Sequence, residues 1–279
     1  MPSLETLKNN IQVVEELADI SNTLEQIAAR DILKVRERTL KSRDYFNETW
    51  KIYSVLRKLA PVNPNVKDRS LVVMITFNRG MCGSLLNKVI SVGDQLYKKY
   101  KADLLITGRK GHSHFANRNE RTIHFFSIPN QIKFEEIEPL KDILGQYSAV
   151  HIVFPRYYSA TKQDVEIVSL MLGEDNETST EKKSTNYLKR VILPKQFKIE
   201  PTIEEVVDRF NKTVMGILVY NYFSEALLAY SAAQVIAMRN ANNNASEERT
   251  KMIHRYHKMT REIIDIKLRE LYKSNRNLL

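Results

Sequence analysis

Glycine and proline are concentrated in the middle of this chain, and that distribution restricts its folds more than any other feature. Neither occurs between Pro2 and Pro61, and from Pro201 to Leu279 the sole glycine is Gly216. These residues break regular structure, so both ends are predicted to be long helices and the middle a domain with turns. The expected boundaries are a helix over 1–60, an α/β domain over 68–194 and a helix over 200–279.

The N-terminal end supports this. Ser3 can cap a helix, with Thr6 where a capping box prefers Glu or Gln. Apolar residues then recur at Leu4, Leu7, Ile11, Val14, Leu17, Ile20, Leu24 and Ile27, steps of three and four that make one helical stripe. At the other end Thr202 and Glu205 have capping-box spacing. A stripe runs from Ile203 through Asn221, Ser224, Ser231, Val235, Met238, Asn242, Ala245, Met252, Tyr256 and Met259 to Ile266. Unbroken, such a helix of roughly seventy-five residues would be on the order of 110 Å long, and a helix of that length needs a partner along it. The N-terminal helix is the simplest one. The fold class expected is therefore α/β plus a long antiparallel coiled coil: two terminal helices form a rod, and a Rossmann-like α/β domain is inserted between them. The small and polar residues of the second stripe fit either a slim seam or a shaft that slides against another protein.

In the middle, strand-like runs at 71–77 (LVVMITF), 102–107, 122–127 and 150–154 alternate with helix-like runs at 84–100, 110–117 and 134–144. That alternation predicts a mainly parallel sheet. The polar segment 173–185 reads as a loop and 187–193 as a short strand leading to the last helix. A hydrophobic fraction of 43% against 27% charged residues is enough to bury a core. No run of about eighteen apolar residues is present, so no transmembrane helix is expected, and the N-terminus does not read as a secretory signal. The single cysteine, Cys82, excludes an internal disulfide. A net charge of +10 predicts attraction to something acidic, whether nucleic acid, anionic lipid or protein.

Few residues look catalytic. The turn Arg79-Gly80-Met81-Cys82-Gly83 follows a strand and opens a helix, where backbone N–H groups can hold phosphate, but neither nucleotide-binding glycine pattern is present. Tight helix–strand packing explains it better, and Cys82 reads as a buried structural thiol. His254 and His257 have a zinc-compatible spacing without further ligands. Basic helix faces without interleaved aromatics argue against nucleic acid. No nucleophile–base pair stands out, so the chain reads as non-catalytic, with no cofactor or metal of its own. The more distant alternative is a basic nucleic-acid-binding coiled-coil protein.

Three stretches together resemble the gamma subunit of F-type ATP synthases, the central rotor stalk. They are TFNRGMCGSLLN at 76–87, FKIEP at 197–201 and AMRNANNNA at 237–245, with Tyr256 and Lys258 matching a downstream Y-N-K. The resemblance implies a rotor that couples ATP synthesis or hydrolysis in a hexameric head to rotation and proton translocation. It also implies ATP or ADP and Mg in partner subunits rather than in this chain. The partners implied are the alpha and beta subunits, an epsilon-type subunit and the membrane ion ring, with no homo-oligomer and a peripheral place on the inner face of the cell membrane. On this reading Ile20, Leu24, Arg30, Lys34, Met238, Arg239, Asn240, Asn242, Asn244, Tyr256 and Lys258 contact the hexamer. Arg79, Gly80, Cys82 and Gly83 form the foot's turn, and Phe197, Ile199 and Glu200 face the ring. The chain departs from the family pattern at Glu25, where a basic residue is usual, and at Thr260, Ile266 and Lys267. A divergent rotor driving a process other than proton pumping is the alternative within the family.

Overall fold

A computed structural model describes residues 3–59, 67–78, 80–115, 123–127, 134–171 and 203–276. The polar segment 173–185, the expected strand 187–193, Thr202, Arg79 and the ring-facing Phe197, Ile199 and Glu200 lie outside them. The elements are α1 (Leu4–Leu59), β1 (Lys67–Ile75), α2 (Leu85–Tyr100), β2 (Asp103–Thr107), α3 (Arg109–Phe115), β3 (Ile123–Phe126), α4 (Phe134–Leu144), β4 (Tyr147–Tyr157), β5 (Gln163–Met171) and α5 (Ile203–Arg276). The glycine- and proline-poor ends thus form helices of 56 and 74 residues.

The chain divides into two compact units, residues 1–29 with 234–279, and residues 30–233. The division falls inside both long helices, so each of them contributes to both units. The reason is visible in α5. Its segment 214–233 is buried on successive turns, with Val219, Phe223, Ala226, Leu227 and Tyr230 part of the α/β core. Asn221, Ser224 and Ser231, expected on a coiled-coil seam, are buried in that unit instead. Ser231 is satisfied by donating to the Leu227 carbonyl at 2.8 Å.

The α/β unit is built on a five-stranded sheet in the order β3-β2-β1-β4-β5. β1 pairs in parallel with β2 and β4, β2 in parallel with β3, and β5 antiparallel with β4. Central strand β1 alternates between two cores, as a strand covered on both faces must. Val72 and Met74 meet Val89, Ile90 and Tyr97 of α2 and Phe115 of α3. Leu71, Val73 and Ile75 meet α4 and α5 on the other face, where Val35 of α1 also packs. Phe77 stands edge-on to Phe223 and Tyr230, with centroids 6.3 and 5.8 Å away. Gly108 is left-handed at φ +86, and a β-carbon there would lie 2.6 Å from the Thr76 carbonyl oxygen. Gly216 of α5 lies against Phe134 and Lys141 of α4, whose ammonium sits 4.9 Å from the Phe134 ring centre.

Candidate functional site

The candidate surface is the two-helix unit. Along α1, Leu7, Ile11, Val14, Ala18, Ser21, Glu25 and Ala28 are buried or half-buried. They step by three and four in the heptad manner of a coiled-coil seam. On α5 the matching series is Met238, Asn242, Ala245, Arg249, Met252, Tyr256, Met259 and Ile263.

The α1 seam agrees with the apolar stripe read from sequence only as far as Val14. There the two series part. Leu17, Ile20 and Ile27, with Val13, are 49–54% exposed, while the smaller Ala18, Ser21 and Ala28 turn inward. Leu24 is half-buried. Large apolar side chains are thus left exposed while small ones fill the seam, and their spacing puts them along one side of the helix.

Among the described residues two ion pairs join the helices of this unit. Arg239 Nη2 lies 2.8 Å from Glu25 Oε1, and Arg239 Nε donates to the same oxygen at 2.9 Å. Arg249 Nη2 donates to Glu15 Oε1 at 3.0 Å. Moving from one pair to the other covers the same interval on both helices in opposite directions, which fixes their antiparallel alignment. Glu25 thus holds Arg239 across the seam.

The residues proposed for hexamer contact therefore separate into groups. Ile20, Arg239, Asn240, Asn244 and Lys258 are exposed. Met238 is 6% exposed, and Asn242 and Tyr256 are half-buried on the seam series. Heptad spacing turns Met238, Asn242 and Tyr256 toward the helix pair. Arg30 and Lys34 are exposed and belong to the α/β unit. Ile266 and Lys267 are exposed and Thr260 half-buried, its hydroxyl donating to the Tyr256 carbonyl at 2.8 Å.

In the foot turn, Met81 and Gly83 are left-handed at φ 59 and 61. Cys82 is buried in the sheet core, and burial pushes its thiol pKa up. A thiol held protonated in this way is a poor nucleophile. Next to it a cleft of about 430 Å³ is lined by Met81, Leu86, Ile90, Lys110, Ser113 and His114 among others. Among the described residues no three His, Cys, Asp or Glu side chains gather as metal ligands, and no helix is long and apolar enough to cross a membrane.

The model of the ATP synthase family matches residues 3–271. The chain belongs to the ATP synthase gamma family. It is 28% identical to the ATP synthase gamma chain of Bdellovibrio bacteriovorus, over 96% of this chain and 94% of that one. With the gamma chain of Geobacter metallireducens it shares 20% identity over 97% of each. The fold matches the central stalk of the Tetrahymena thermophila mitochondrial ATP synthase, at TM-score 0.60 and 18% identity over 80% of this chain and 99% of that chain. A chain of the Euglena gracilis mitochondrial ATP synthase matches at TM-score 0.59 and 16% identity, covering 97% and 95%.

Sequence reasoning missed the outward turn of Leu17, Ile20 and Ile27, because two stripes with the same stepping compete on α1. The charges carried the missing signal: Glu15 and Glu25 on one helix match Arg249 and Arg239 at equal and opposite intervals.

Proposed function

We propose that this chain is the non-catalytic central rotor of an F-type ATP synthase, turning inside a ring of alpha and beta subunits. ATP or ADP and Mg belong to those partners. The α/β unit is the foot that meets an epsilon-type subunit and the membrane ion ring, and the complex works at the inner face of the cell membrane. The observation that carries the reading is the exposed apolar row Val13, Leu17, Ile20 and Ile27 on a thin two-helix unit. A rotor couples to a ring through contacts that differ from one ring subunit to the next. An apolar row on one side of a helix pair offers that asymmetry. It also lets go readily, since non-directional contacts have no fixed partner atoms to break. Arg30, Lys34 and Lys258 add exposed positive charge that suits acidic ring residues.

The test is reconstitution with alpha and beta subunits. One copy of the chain per hexamer is expected, with ATP-driven rotation. Leu17→Lys with Ile20→Lys should leave the chain folded but abolish coupling between hydrolysis and rotation. Failure of the unaltered chain to join a hexamer would overturn the reading.

A further inference from the structure

The two-helix unit has a seam that specifies its own alignment poorly. In its middle Ala18, Ser21, Ala28 and Ala245 supply little volume. Small side chains give few knobs to lock into holes, so sliding one helix by a heptad costs little packing. Against this, Glu25 occupies a seam position where its side chain keeps only 17% of its exposure. A carboxylate removed from water in that way is unfavourable unless it is paired. Arg239 pairs with it through two nitrogens, and no other alignment of the helices brings that guanidinium opposite. Glu15, at 52% far more exposed than Glu25, repeats the pairing with Arg249 further along the same helices.

We propose that Glu25 with Arg239 is the register lock of the helix pair, and that Glu15 with Arg249 is a second, weaker one. These are positioning residues. They set the height of the apolar row of α1 against the exposed Asn240 and Asn244 of α5, and so define the face presented to a ring. Only this last consequence rests on the rotor reading; the lock itself is a property of the free chain.

The experiment measures register in the isolated full chain. Nitroxide labels are placed on the exposed positions Asn22→Cys and Asn243→Cys, in a Cys82→Ala background, and distances are read by pulsed electron resonance. The unaltered pairs should give one narrow distance. Glu25→Arg and Arg239→Glu should each broaden or split it, and the charge-exchanged double variant should restore it. Glu25→Leu guards against variants that fail to fold. An apolar residue at this position should keep the helicity and thermal midpoint of the parent while broadening the distance distribution, because packing is retained and specificity is lost. A bond that merely added stability would instead lower the midpoint and leave the distance narrow. Narrow, unshifted distances in Glu25→Leu, or no restoration in a folded double variant, overturn the lock. Neither result bears on whether the chain joins a hexamer, which the reconstitution above decides separately.

Discussion

The α/β unit and the two-helix unit both draw on α1 and α5, yet they are held together in opposite ways. In the first, Leu71, Ile75, Phe77, Leu105 and Phe223 are all within 1% of complete burial. In the second, Leu7, Ser21, Ala28 and Met238 are the buried residues among those described, and several larger side chains face water. Burial of a large apolar side chain is worth about 1.5–3 kcal/mol, so the sheet unit has an ample core. The helix pair has only a narrow seam. One part is built to keep its shape, while the other keeps its best apolar surface for a partner.

The largest expected effect breaks the first half of that comparison. Phe223→Ala removes a fully buried ring beside Phe77 and should cost about 3–5 kcal/mol in denaturant unfolding of the α/β unit. Gly108→Ala should cost about 1–3 kcal/mol in the same measurement, since it forces a β-carbon onto the Thr76 carbonyl at positive φ. Met238→Lys tests the seam. Burying an amine there should cost about 1–3 kcal/mol, seen as faster amide exchange in 234–276 with the sheet amides unchanged.

A smaller effect sharpens the comparison by pH. His151 is buried, its Nδ1 is 2.8 Å from Ser169 Oγ, and its ring stacks on Tyr100 at 4.1 Å. Desolvation first, then Lys99, holds its pKa below the ordinary 6.5. Below about 6.5 the unfolded chain therefore binds the proton more readily, and stability of the α/β unit falls with acidification. Above that value the residue adds no pH dependence. Melting at pH 8 and pH 5 should show the loss, and His151→Phe should reduce it. The smallest effect is on the outward row: Leu17→Lys should change stability by no more than about 0.5 kcal/mol. A large loss there would mean that Leu17 belongs to a core after all.

The sequence showed the long helices clearly, because absence of glycine and proline is a strong statement over so many residues. The alternating middle was also legible. The 134–144 run is α4 with those bounds, and β1, β2, β3 and β4 fall on the expected runs with shifted ends. β5 was not legible. Its run QDVEIVSLM carries Asp164 and Glu166, and it pairs antiparallel along the edge of β4 with Val168 and Leu170 against one core and Val165 against the other. Glu166 is drawn into that edge by Arg156, whose Nη1 meets both carboxylate oxygens at 2.8 and 2.9 Å. Nor could the stepping of α5 tell its sheet-packed part from its seam, since both need a helical stripe. On α1 the period alone could not choose between the small inward residues and the large outward ones. The choice depended on what lies opposite, which is tertiary information.

Gly216 stands out as the one interruption of the glycine-free C-terminal end. A glycine inside a helix is roughly 0.5–1 kcal/mol worse than alanine, so propensity alone would remove it. Yet Phe134 and Lys141 occupy the place its β-carbon would need. The position is a notch that the end of the Lys141 side chain fills: an alanine methyl, though better for the helix, would push that chain aside and the Phe134 ring back by a few tenths of an ångström.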